Sequence, residues 1–214
     1  MVCTVNRFRR PMLSNSRATF ILQIGSPPQE VHVLPSTSLS ETLIVGPGGC
    51  PNSTDFSGVK FQTSKQEPKT ACSDSRGKLY DLSVDNSKAG FDASNKSDIS
   101  IYNVEAYQTL KNFGGDFPAY GFHSNVTIGY TQADLQASAS QSIQLPLLQF
   151  YDPNYAWVGL LGIDPRPANF TSGTPPQTSM EKSLLQSLKD SGEIKSMSWA
   201  YTAGSYNRMF PLMS

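Results

Sequence analysis

Charge and chemically reactive side chains are scarce in this chain. Its 214 residues include two histidines, His32 and His123, and three cysteines, and only 16% are charged. No C-x-x-C pair occurs, which argues against a zinc finger or ribbon. Nucleophilic serine chemistry needs a histidine base with an orienting acid, and no G-x-S-x-G elbow is present. The glycine phrases at Gly46–Gly49 and Gly114-Gly115 lack the Lys-Ser/Thr of a phosphate loop and read as turns. Formal net charge is zero, and the one basic cluster, Arg7, Arg9 and Arg10, stands alone near the N-terminus, so no nucleic-acid partner is expected. Apolar runs are short. None approaches the ~18 residues of a membrane span, and residues 1–17 lack the apolar core of a signal peptide. The first acid is Glu30, after four arginines, as in a transit peptide, but Pro11 and the want of an amphipathic face argue against one. No internal repeat appears.

Serine, threonine, glycine and proline are abundant instead, around a hydrophobic content of 38%. That balance predicts an all-β, turn-rich fold, and the length allows one substantial core or two small ones. The organising stretch is Phe20–Val45. Phe20, Leu22 and Ile24 share one face of a strand, and Gly25-Ser26-Pro27-Pro28 turns the chain. Val31 and Val33 alternate again, and Leu43-Ile44-Val45 is a third apolar run. Between the second and third strands lies Ser36-Thr37-Ser38-Leu39-Ser40, small hydroxyl residues placed to aim a side chain at a ligand. His32, in the opposite pleat to Val31 and Val33, is expected to face solvent.

Further along, Cys50 and Cys72 flank a polar loop over residues 50–78, and a bridge between them would add about 3 kcal/mol. Cys3 has no evident partner. Tyr80, Leu82 and Val84 alternate as a short strand, followed by polar turns at Asp85-Asn86 and Ser94-Asn95. Ile99–Tyr107 reads as a two-sided strand, turned back at Asn112–Gly115. Ala119–Gly129 has Val126 and Ile128 on one face, with His123 read as exposed in the polar loop before Asn125. Ile143–Phe150, interrupted by Pro146, suits an edge strand. Trp157–Ile163 is a buried strand ending at Asp164-Pro165. Thr178 and Glu181 fit a capping box, with Met180, Leu184, Leu185 and Leu188 on one helical face, Lys189 in the last turn and Gly192 as the stop. Ile194–Ser198 and Trp199–Tyr201 resume strand, and Trp157 and Trp199 read as core. Glycosylation sequons stand at Asn52, Asn95, Asn125 and Asn169.

The phrase I-G-S-P-P-Q, the alternating apolars, then S-T-S-x-S and an apolar run resemble the N-terminal lobe of pepsin-like aspartic endopeptidases. Gly159-Leu160-Leu161-Gly162 is similar to the strand phrase that threads past that family's catalytic turn. The predicted helix and the S-W-A-Y-T-A-G phrase resemble the lobe's end in fungal members. The likeness spans Ala18–Arg208. It implies an irregular arm over 1–17, a single lobe over 18–208 and a tail over 209–214. The lobe would be a double-psi-type barrel or sandwich with a short helix near its C-terminus.

At the site the chain departs from the family. The family turn reads Asp-Thr-Gly-Ser-Ser, and here Ser36, Thr37 and Ser38 occupy its first three positions. Ser124 stands where an Asp is usual in G-x-D-x-V-x-x-G. The flap phrase Y-G-x-G is missing, although Tyr102, Tyr107 and Tyr120 are all nearby in sequence and none is assigned its tyrosine's role. The family's chemistry needs two carboxylates that share a proton and activate a water, one from each lobe. A serine hydroxyl does not ionise near neutral pH. Glu41, the nearest carboxylate in sequence, lies beyond the turn.

No catalytic residue, cofactor or metal is therefore expected. Two classes stand open: an inactive relative of secreted endopeptidases, truncated at both ends, or a non-catalytic binding or inhibitor protein holding a polypeptide or other ligand in the cleft. The resemblance implies a secretory route, whereas the chain's own start, taken as correct, implies the cytoplasm. If Ser36–Ser40 has no chemistry, it is a polar loop whose hydroxyls satisfy backbone groups.

Overall fold

The structure is a computed structural model. It describes residues 19–50, 69–90, 102–104, 119–129, 142–150, 158–172 and 177–200. Six strands close into a barrel: β1 (Phe20–Ile24), β2 (Gln29–Ser36), β3 (Thr42–Val45), β5 (Ala119–Gly129), β6 (Ile143–Phe150) and β7 (Gly159–Gly162). The order around the wall is β1-β2-β7-β3-β6-β5, returning to β1. A second sheet runs β4 (Tyr102–Val104), β8 (Ala168–Ser172), β9 (Gln177–Glu181). Two short α-helices, α1 (Lys69–Ser75) and α2 (Leu184–Asp190), and 3-10 turns at Pro47–Gly49 and Leu82–Val84 complete the described elements. The all-β expectation holds.

Side-chain alternation builds two cores from one wall. All six barrel strands contribute to the larger, among them Leu22, Val33, Ile44, Phe122, Leu147 and Leu161, and Tyr80, Leu82 and Leu184 close it. The opposite pleats of β3 and β6, with Leu43, Val45, Leu148 and Phe150, meet Ala168 and Phe170 of β8 in the smaller core. Leu39, from the hydroxyl-rich turn, packs into this second core and is 4% exposed.

Several local expectations are corrected. Ile143–Phe150 is no edge strand: it lies between β3 and β5 in a closed wall. Pro146 stands opposite His123, whose backbone N–H and C=O are both taken by Ala89, so the missing proline donor costs no rung there. Tyr80–Val84 is not a strand. Leu82–Val84 forms a 3-10 turn capped by Asp81, whose carboxylate accepts from Ser83 N; Tyr80 and Leu82 are buried while Val84 is exposed. Within the expected loop over 50–78, Lys69–Ser75 is helical, and Cys72 in that helix is disulfide-bonded to Cys50 as expected.

The C-terminal helix begins later than the spacing predicts. Thr178 and Glu181 belong to β9, where five residues pair with β8 from Ala168↔Glu181 to Ser172↔Gln177. Ser183 is the true N-cap, sharing a capping box with Gln186. Lys189 and Gly192, at φ +82°, end the helix as read. Residues 194–200 form no strand, and Trp199 is 46% exposed rather than core. Trp157, Asn112–Gly115, the ends of the Ile99–Tyr107 run, Asn52 and Asn95 lie outside the described residues.

Candidate functional site

Strand β7 is inserted between β2 and β3, which are neighbours in sequence. It runs parallel to β2, with Val33↔Gly159 through Ser36↔Gly162, and meets β3 antiparallel at Leu43↔Leu160. The chain between β2 and β3 must therefore arch over the end of β7, and that arch is Thr37–Glu41. Two backbone bonds pin it: Ile163 N donates to Ser36 O at 2.9 Å, and Asp164 N donates to Leu39 O at 3.0 Å. Glycines make the insertion possible. A Cβ on Gly159 would lie 2.6 Å from Leu43 O, and one on Gly162 would lie 2.4 Å from Glu41 O, both backbone atoms that cannot swing aside.

At the turn, Ser36 is half-buried and Thr37 and Ser38 are exposed. Ser36 Oγ and Ser38 Oγ lie 3.3 Å apart and share a hydrogen bond. The arrangement offers hydroxyl donors and acceptors to a ligand and no ionised group. Glu41, at the foot of β3, is 3% exposed.

A carboxylate missed in the sequence sits behind the arch. Asp164 is 8% exposed, and Arg166 grips both of its oxygens through Nε and Nη2 and also donates its backbone N–H to Oδ1. That guanidinium holds the carboxyl below its ordinary value despite partial burial. Asp164 is thus committed to a structural ion pair. The three-residue phrase Asp164-Pro165-Arg166 was its only signal. The sequence also contains Asp190-Ser191-Gly192, a literal Asp-Ser-Gly, but Asp190 ends α2 and pairs with Lys182 on the surface.

The most heavily bonded acid is elsewhere. Asp85 is 0% exposed and accepts from Ser26 N, Tyr80 Oη, Ser87 N, Ser87 Oγ and Ser124 Oγ at 2.5–2.8 Å. Burial alone would raise its pKa. The donors, led by Ser124 and Tyr80, outweigh it and hold the group at about 2. Burial, together with the same carboxylate, pushes the Tyr80 phenol up. Gly25, at φ +88°, makes room: a Cβ there would sit 2.6 Å from Asp85 Cγ. Asn86 N also donates to Ser26 O. The I-G-S-P-P-Q turn is therefore moulded on a buried carboxylate that the sequence marked only as part of a polar turn.

Neither histidine faces solvent freely. His32 is 12% exposed at its side chain, with Nε2 3.1 Å from Glu30, which also pairs with Lys78. Burial opposes ionisation of Glu30, but Lys78 and His32 bring its pKa below the ordinary value. His123 lies on β5 rather than in a loop, and its Nε2 is 2.9 Å from Glu181 of β9. Ser179 Oγ donates to the other Glu181 oxygen at 2.7 Å. The serine serves the carboxylate and not the imidazole, so the cluster ties barrel to sheet and is not a hydrolase triad. Among the described residues no group of three or more His, Cys, Asp and Glu is placed to hold a metal, and no helix is long and apolar enough to cross a membrane. A shallow concavity of about 300 Å³ lies beside α2, lined by Lys182, Gln186, Lys189, Asp190 and Met197, and shares no residue with the arch.

No protein-family model matches the chain, and no curated protein matches it significantly in sequence.

Proposed function

We propose that this chain is an aspartic-peptidase-like lobe that performs no peptide hydrolysis and acts by binding. The observation that supports the reading is the insertion of β7 between β2 and β3, with the Ser36–Ser40 arch crossing its end, the stretch whose sequence resembles the family's catalytic turn. On this reading Ser36 stands where the family has its carboxylate. The other features in support are the I-G-S-P-P-Q turn with a glycine at positive φ and the Gly159–Gly162 strand beneath the arch.

A serine hydroxyl at Ser36 cannot act as base on a water at the acidic pH where paired carboxylates work. Glu41 and Asp164 do not replace it, the one lying beyond the turn and the other occupied by Arg166. What the arch retains is hydrogen-bonding capacity: two hydroxyls within 3.3 Å of each other and the exposed Thr37. Such a surface suits an extended polypeptide held without turnover. The test is a titration of isotope-labelled protein with unlabelled, proteolysed casein, followed by amide shifts. Saturable shifts at Ser36–Ser40, lost in Ser36→Ala/Ser38→Ala, are expected. Shifts confined to residues away from the arch would remove the binding reading.

A further inference from the structure

One modification site stands out on the second sheet, independently of the reading of the arch. On β8, Ala168 and Phe170 are buried at 0% exposure while Asn169 between them is exposed. Phe170 anchors the strand in the smaller core. Directly across the ladder from Asn169 is Met180 of β9. Met180 is 69% exposed, more than any other large apolar side chain among the described residues. Directly opposed residues hold their Cβ atoms within about 5.5 Å, so a group attached to Asn169 would rise beside the methionine. Asn169 also begins the sequon Asn169-Phe170-Thr171. The Cys50–Cys72 disulfide is of the kind that persists in the oxidising compartments where such sequons are glycosylated.

The second described sequon makes the contrast. Asn125 on β5 is exposed too, but its cross-strand partner is the exposed, polar Gln144. That partner offers no large apolar side chain for a glycan to cover.

We propose that Asn169 carries an N-linked glycan whose first sugars lie over Met180 and shield the outer face of the second sheet. The donor is an oligosaccharide carried on a polyprenyl pyrophosphate. Asn169 Nδ2 forms a bond to the anomeric carbon as the carbon–oxygen bond to pyrophosphate breaks. The pyrophosphate leaves with the bonding pair, and the amide nitrogen gives up one proton. The glycan substitutes sugar contact for water over the methionine.

The test is expression of the full chain behind a leader peptide in a eukaryotic secretory host, with peptide mapping of total cellular and secreted protein. Amidase treatment converts a glycosylated Asn to Asp, and this mass change is expected at Asn169. Glycosylated protein, amidase-treated folded protein and a Thr171→Ala variant are then oxidised with hydrogen peroxide. Met197, 39% exposed and outside both sheets, is the internal reference. The sulfoxide ratio Met180 to Met197 should rise several-fold once the glycan is gone, in both the treated protein and the variant. An unmodified Asn169, or a ratio unchanged by amidase treatment of the folded protein, overturns the proposal.

Discussion

Ser124 Oγ donates to Asp85 Oδ2 at 2.6 Å in the interior of the molecule. This contact joins the barrel wall at β5 to the segment after Tyr80, and through Ser26 N it reaches the turn between β1 and β2. An acid at position 124, as the peptidase pattern has, would face the Asp85 carboxylate with no cation between them. The serine at 124 and the acid at 85 form one compatible pair.

Loss of the Asp85 carboxylate should therefore be costly. Asp85→Asn keeps the size but sets an amide donor against groups that already donate, and about 3 kcal/mol of stability should be lost. Urea denaturation midpoints measure this. Ser124→Ala in the Asp85→Asn background should cost less than in the wild type, the sign of direct coupling. Fully additive losses would argue against it.

The acid limb of stability follows from the same group. The folded-state pKa of Asp85, about 2, lies below the ordinary 3.8, so its contribution is present above pH ~4 and is lost as pH falls toward 2. Glu30, Glu181 and Asp164, all lowered, add to the loss in the same direction. Thermal melts from pH 6 down to pH 2 should show stability falling below pH ~4, with a smaller fall in Asp85→Asn.

Gly162→Ala tests the arch mechanically. Its methyl would meet Glu41 O at 2.4 Å and Leu39 O at 2.8 Å. The arch or β7 must move, at a cost of ~2 kcal/mol or more. Denaturation midpoints check the cost. Gly192→Ala makes a useful comparison, because nothing lies within 4 Å of its added carbon and only the positive φ opposes it.

The disulfide closes a separation of 22 residues, for which chain entropy suggests about 3 kcal/mol. Cys50→Ser/Cys72→Ser should lower the melting temperature accordingly. An unchanged melt would mean that Arg76, whose Nη1 donates to Gly49 O and whose guanidinium lies over Phe150, holds the same corner unaided.

The barrel strands were legible in the sequence where alternation was clean, as at Phe20–Ile24 and Val31–Val33, or where an apolar run was bounded by glycines, as at Gly159–Gly162. Competing patterns hid the rest. Thr178-x-x-Glu181 and Ser183-x-x-Gln186 both fit a helix start, and the five-residue ladder to β8 decides between them. Tyr80 and Leu82 alternate like a strand, but what buries them is the cap of the barrel and the Asp85 network. That network joins positions up to 98 residues apart, Ser26 to Ser124, and local spacing carries no trace of it. Trp199 shows the opposite limit: a large apolar residue carries no address of its own.

Hydrolysis is the most direct test. Purified chain incubated with acid-denatured globin from pH 2 to pH 7, with and without pepstatin, should release no peptides at any pH. Ser36→Asp should be equally inactive, because among the described residues the acids near the arch are buried Glu41 and Asp164, which Arg166 already holds. Pepstatin-sensitive cleavage by the wild-type chain would contradict the proposal that the arch at Ser36 binds without hydrolysis.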